Sequence, residues 1–201
     1  MSKRNIRNLL DAGRDDAVAI TAPGRPSLTY KSFVEHIDEI GAQLGSQGLT
    51  SSDRVAIVLP NGPEMASAFL CVASYMSAAP LNPSYKQAEY EFYLEDLNPN
   101  LIILEENSAN PAREAAMKLS IPVAEIKGLK EAPAGGFYLF KEYGQINLPT
   151  EKAEALVLHT SGTTSRPKLV PLTQSNLVAS ADNIAYTLRL NEIDHSLNIM
   201  P

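Results

Sequence analysis

Between Thr160 and Lys168 the chain sets five hydroxyl side chains, Thr160, Ser161, Thr163, Thr164 and Ser165, around the single glycine Gly162. Arg166, Pro167 and Lys168 close the segment. Small side chains leave backbone N–H groups open, hydroxyls add donors, and lysine adds a mobile cation. Phosphate oxygens accept several charge-assisted hydrogen bonds from such groups, so the chemistry these residues suit is a grip on a polyphosphate. Ser/Thr/Gly clusters also make ordinary turns, because these residues tolerate or stabilise turn geometry. What favours the phosphate reading is the pair of apolar runs on either side, Ala155–Leu158 and Leu169–Leu172. They predict a strand–loop–strand with Lys168 at the loop mouth. The segment is not a Walker loop, since G-x-x-x-x-G-K-[ST] is absent, and no G-x-G-x-x-G occurs anywhere in the chain.

The elements that must hold this loop follow from periodicity. Tyr30, Phe33, Val34, Ile37, Ile40, Gly41 and Leu44 fall at helical spacing and predict an amphipathic helix over 30–46. Arg54 to Leu59 reads as a buried strand. Asn61-Gly62 turns the chain, and Pro63 suits the first position of a buried helix over 63–77. Ser84 with Gln87 suggests a capping box for a helix over 86–97 that stops before Pro99. Leu101–Leu104 is a strand, 111–119 a short helix begun by Pro111, and Ile121–Ile126 another strand. Thr173 is placed as the N-cap of a last helix with Leu177, Ala181, Ile184, Ala185 and Leu188 on one face. Strands alternating with helices imply α/β architecture, a largely parallel sheet with helices on both faces. Residues 127–151, rich in glycine and proline, read as a connector between possible halves 1–126 and 152–201.

Residues 156–177, LVLHTSGTTSRPKLVPLTQSNL, resemble the signature of the adenylate-forming superfamily: acyl-CoA synthetases, luciferases and peptide-synthetase adenylation domains. Its usual form is T-S-G-T-T-G-x-P-K-G-V. Here Ser165 and Leu169 stand where glycines are usual, and Ser165 resembles the branch of oxalate–CoA ligases and related small-acid synthetases. Leu28–Tyr30, Asp53–Asn61 and Ala78–Pro83 resemble, in order, the family's early helix, its next strand and turn, and its P-L-N-P corner. The resemblance implies the N-terminal part of the adenylate-forming fold, with 1–201 an incomplete domain. It implies an ATP-dependent ligase that makes acyl-AMP and pyrophosphate, then a coenzyme A thioester. Ser161, Gly162, Thr163, Thr164 and Ser165 would hold the β- and γ-phosphates, Thr160 would approach Mg²⁺, and Lys168 would add charge at the pyrophosphate side. None of them is a general base, so no catalytic residue is expected here. Because family members are much longer, the resemblance also implies a fragment inactive by itself. Alternatives are part of a carrier-protein-loading or luciferase-like adenylation enzyme, or a non-catalytic nucleotide-binding module.

Composition sets bounds. The 201 residues carry a formal net charge of -6, which leaves no electrostatic footprint for nucleic acid. One cysteine, Cys71, excludes an internal disulfide, and its apolar neighbours predict a packing role. The N-terminus lacks a secretory stretch, and no apolar run reaches membrane-spanning length. A cytoplasmic location is expected, or a peroxisomal one if an address lies beyond Pro201. Expected partners are a small carboxylic acid, ATP and coenzyme A, with oligomeric state open. His159 is expected to be structural, while His36 and His195 are expected to be solvated. Tyr90, Phe92 and Tyr93 are expected to pack in the core, and Asp15-Asp16 and Glu105-Glu106 to lie on the surface.

Overall fold

Thr29 ends a strand and starts a helix in one step. Its extended backbone (φ -80°, ψ 162°) lets its hydroxyl accept from Ser32 N–H, satisfying one orphan donor of the first turn. The computed structural model describes residues 5–128, 131–160 and 167–198; of the site predicted above, residues 161–166 lie outside them. In chain order the elements are α1 (Ile6–Leu9), a 3₁₀ turn (Leu10–Ala12), β1 (Val18–Ile20), β2 (Leu28–Thr29), α2 (Tyr30–Ser46), β3 (Arg54–Val58), α3 (Pro63–Ala73) and β4 (Ser77–Pro80). Then come α4 (Gln87–Leu97), β5 (Leu101–Glu105), α5 (Ala112–Lys118), β6 (Val123–Gly128), β7 (Phe137–Tyr138), β8 (Glu154–Thr160), β9 (Lys168–Thr173) and α6 (Gln174–Leu188).

Seven strands form one sheet in the order β7-β6-β5-β3-β4-β8-β9. The inner five are parallel, and β7 and β9 pair antiparallel at the two edges. The central strands are buried on both faces, as their runs of Val, Ile and Leu require. Period-2 alternation sends Val55 and Ile57 to one face, against α2 and α3, and Ala56 and Val58 to the other, against α4 and α5. Each fully buried Ile or Leu contributes about 1.5–3 kcal/mol relative to exposure, and Ile37, Ile40, Ile57, Ile102, Ile103 and Leu104 are all fully buried. The largely parallel α/β sheet with helices on both faces is as the sequence implies.

Several local expectations change. The helix expected over 63–77 ends at Ala73, and Ser77–Pro80 become β4, in register with Arg54–Ile57 of β3. The small residues of this stretch carry weak propensity, so the parallel ladder decides their state. Ser84 does not cap α4: its N–H donates to Asn82 Oδ1 (2.9 Å), while Lys86 N–H donates to Glu89 Oε2 (2.8 Å) at the helix start. The following strand starts at Val123, because Ile121 N–H is already used on Ala116 O (2.9 Å). Asn98, left-handed at φ 48°, ends α4 one residue before Pro99.

His36 is buried (9% exposed), contrary to the solvated position expected. Its ring packs edge-on against Phe137 at 4.8 Å, so the chain at 131–146 covers what the helical pattern alone presents as a polar face. That stretch is pinned along α2. Gln43 Oε1 accepts from Leu139 N (2.8 Å) and Phe140 N (3.0 Å), and Gly144 N–H donates to Ala42 O (2.8 Å). Backbone meets backbone there: a Cβ on Gly144 would lie 2.5 Å from Ser46 N and 2.7 Å from the Gly45 carbonyl carbon. Only glycine fits so close an approach.

Cys71 is fully buried, and burial pushes its thiol well above the usual range, as a packing residue should behave. Tyr90 is fully buried, but Phe92 is 37% exposed, so the core packing expected of the aromatic set holds for Tyr90 and not for Phe92. Along α6 only Gln174 and Val178 are buried, while Ile184 and Leu188 are exposed. The apolar face expected there is therefore covered only near its start, where α6 meets α1, β8 and β9.

Candidate functional site

β8 and β9 are the two strands that the apolar runs predict. They are antiparallel with Leu158 opposite Val170, His159 opposite Leu169 and Thr160 opposite Lys168. Thr160 and Lys168 therefore face each other at the end of the hairpin, with Thr160 Oγ1 3.5 Å from Lys168 O. Both are exposed. Lys168 forms no ion pair with a described residue, so its ammonium is available to an anion. Ser161, Gly162, Thr163, Thr164 and Ser165 belong to the stretch outside the described residues. The structure thus brings together the two ends of the predicted site, Thr160 and Lys168.

The hairpin leaves the sheet at the carboxyl ends of its parallel strands. In open α/β sheets that edge is where ligands bind. A pocket of about 430 Å³ opens along the same edge, lined by Arg25, Asn61, Glu64, Glu105 and Glu106 among others. Arg25 there pairs with Glu64 (3.1 Å) and donates to the carbonyls of Ala132 and Pro133. Glu105 and Glu106 are exposed, as expected.

Three anchors hold the hairpin, each beyond the reach of sequence periodicity. At the amino edge, Arg54 on β3 makes a two-point pair with Glu154 on β8, at 2.7 and 3.0 Å, and donates to Leu97 O at 3.1 Å. Just after β9, Gln174 is fully buried with both ends of its amide used. Its Oε1 accepts from Ile6 N–H (3.0 Å), and its Nε2 donates to Ala73 O (2.7 Å). At the far end, His159 Nε2–H donates to Asp96 Oδ2 (3.0 Å), and its ring packs against Tyr93 at 4.7 Å. Tyr93 in turn stacks on Tyr85 at 4.8 Å. His159 is thus packed and hydrogen-bonded at the end of β8. Its partner Asp96 lies 63 residues away with no local pattern to mark it. His195 is exposed, its Nδ1 3.0 Å from Ile193 O.

Among the described residues no group of three or more His, Cys, Asp and Glu could hold a metal ion. No helix among them is long and apolar enough to cross a membrane.

A parallel sheet with helices on both faces, extended at its carboxyl edge by a hairpin that carries the Ser/Thr/Gly segment, is the frame of the adenylate-forming fold. The chain belongs to the AMP-binding enzyme family, whose model matches residues 10–201. The oxalate–CoA ligase of Arabidopsis thaliana is 36% identical over 193 residues, 92% of this chain and 38% of that protein. A probable CoA ligase of Humulus lupulus is 37% identical over 195 residues, 92% of this chain and 37% of that one. Among solved structures, apo MatB from Rhodopseudomonas palustris has a TM-score of 0.77 at 21% identity, covering 93% of this chain and 38% of that one. A putative long-chain-fatty-acid CoA ligase from the same organism gives 0.80 at 20% identity, covering 98% and 50%. These two likenesses establish the fold. The chain spans less than two fifths of the length of the two curated relatives.

Proposed function

We propose that this chain supplies the phosphate grip of an ATP-dependent acid–thiol ligase. The observation that carries the reading is the pairing of Thr160 with Lys168 at the carboxyl edge of the parallel sheet, with Lys168 exposed and in no ion pair with a described residue. In the first step a substrate carboxylate oxygen attacks the α-phosphorus of ATP. The bond to the bridging oxygen breaks, and its electron pair leaves with pyrophosphate. In the second, the coenzyme A thiolate attacks the acyl carbon and AMP departs. The site's task is to orient and neutralise a highly charged leaving group, without proton transfer. Lys168 serves the pyrophosphate end. Ser161, Gly162, Thr163, Thr164 and Ser165 serve the β- and γ-phosphates through hydroxyl and backbone donors. Mg²⁺ accompanies the nucleotide, and the exposed Thr160 hydroxyl is the described group offered to it; a hydroxyl oxygen suits this hard cation.

A small dicarboxylic acid such as oxalate is the proposed substrate. Support comes from Ser165 in the loop and from the relatives named oxalate–CoA ligase in Arabidopsis thaliana and Saccharomyces cerevisiae. Acid-dependent exchange of labelled pyrophosphate into ATP by the intact protein tests both parts. Oxalate should give the fastest exchange in a panel of small, aromatic and fatty acids. Exchange with no acid, in a preparation that binds ATP, would remove the ligase reading.

A further inference from the structure

β8 outruns the sheet that carries it. Its ladder to β4 is registered at one pair, Ala78 with Leu156. Carried forward, that register sets Pro80, the last residue of β4, beside Leu158. Pro80 has no N–H to donate, and His159 and Thr160 lie beyond the end of β4. On the other side the ladder to β9 continues to Thr160 and Lys168. The end of the hairpin is therefore a two-stranded ribbon, and such ribbons are marginal by themselves in water. A lone ribbon would not hold Thr160 and Lys168 in one place.

One side chain ties the ribbon back. His159 lies on the same face of β8 as Val157, two residues earlier, and Val157 packs in the cluster built on α4 and α5. From there the His159 side chain, only 7% exposed, reaches Asp96 and Tyr93 on α4. Tyr93 is backed by Tyr85, and Tyr85 sits in the turn between β4 and α4. The tether runs from the residue next to Thr160 to a helix packed on the core.

We propose that His159, held by Asp96 and Tyr93, is a positioning residue that sets where Thr160 and Lys168 stand and so how the phosphate-binding groups are presented. The consequence for ATP rests on the ligase reading above, while the tether itself is measurable without it. Asp96 acts on the ribbon through its hydrogen bond to His159, and its charge also favours the Arg54 guanidinium. The role needs a ring nitrogen that donates and a flat face against Tyr93, so alanine should abolish it. Asparagine at 96, whose side-chain oxygen still accepts, should restore it.

The test compares His159→Ala, Asp96→Ala and Asp96→Asn in the intact protein by hydrogen exchange and by steady-state kinetics, with Lys168→Ala as the control on ATP. Loss of one charge-assisted hydrogen bond with a half-exposed acceptor predicts amide exchange faster by roughly three- to tenfold. The acceleration should be confined to peptides 156–160 and 167–172, with the β3 and β5 peptides unchanged. The KM for ATP should rise by a similar factor with kcat changed less, and Asp96→Asn should recover both. Unchanged exchange in both alanine variants overturns the proposal whatever the activity does, as does faster exchange with KM untouched in a protein that Lys168→Ala inactivates. Full pyrophosphate exchange in Lys168→Ala overturns the ATP reading instead, and the tether is then judged on hydrogen exchange alone.

Discussion

Replacing Gln174 by leucine should destabilise the intact protein by about 2–4 kcal/mol, and the figure follows from the two ends of one amide. The side chain is fully buried. It accepts from Ile6 N–H at 3.0 Å and donates to Ala73 O at 2.7 Å, joining α1, the end of α3 and the start of α6. Leucine has nearly the same length and neither polar group. Each of the two buried partners left stranded costs about 1–3 kcal/mol in desolvation, about 2–6 kcal/mol for the pair. Better transfer of leucine into the core returns part of this. For a domain of this size the loss corresponds to a fall in Tm of roughly 4–16 °C. Urea unfolding is the assay, and the midpoint should fall with the slope m unchanged, since the same surface is exposed. A loss below about 0.5 kcal/mol would refute the claim that this amide anchors the base of the hairpin, because surface substitutions commonly cost that little.

Two further predictions concern the segment laid along α2. Gly144→Ala would place a Cβ 2.5 Å from Ser46 N; the backbone must part, at a cost of about 1–3 kcal/mol, and equal stability by urea titration would contradict the close approach. His36 lies within the same packing: burial lowers its pKa below 6.5, against a smaller opposing pull from Glu39. A group whose folded pKa is depressed loses stability as pH falls from its unfolded value toward its folded one. The wild type should therefore weaken as pH falls below about 6.5, and His36→Leu should flatten that slope; parallel profiles would show that His36 does not titrate on unfolding.

Legibility in the sequence followed how local each cause was. The helix over Tyr30–Ser46 is written in its own 3.6-residue period, so sequence and structure agree to the residue. The hairpin was readable for the same reason: two apolar runs around a polar segment allow little else. β4 was not, because Ser77–Pro80 become a strand through pairing with β3, and small residues carry weak propensity of their own. The burial of His36 was hidden because the chain that covers it comes a hundred residues later. Of the proposed site, the Ser/Thr/Gly composition and the place of Lys168 at the mouth of the hairpin were visible in the spacing. The anchors Arg54–Glu154, Gln174 and His159–Asp96 were not, since each joins positions far apart in the chain through side chains alone.

The central claim, that the end of the β8–β9 hairpin grips the pyrophosphate end of ATP, is tested most directly at Lys168. Pyrophosphate exchange by the intact protein is measured with its best acid substrate, for wild type and Lys168→Ala at equal folded concentration. Losing a preorganised cation at the leaving group predicts a rate lower by on the order of 10²-fold, with the unfolding midpoint unchanged because the side chain is exposed. An exchange rate within about twofold of wild type, well inside that expected effect, would contradict the account.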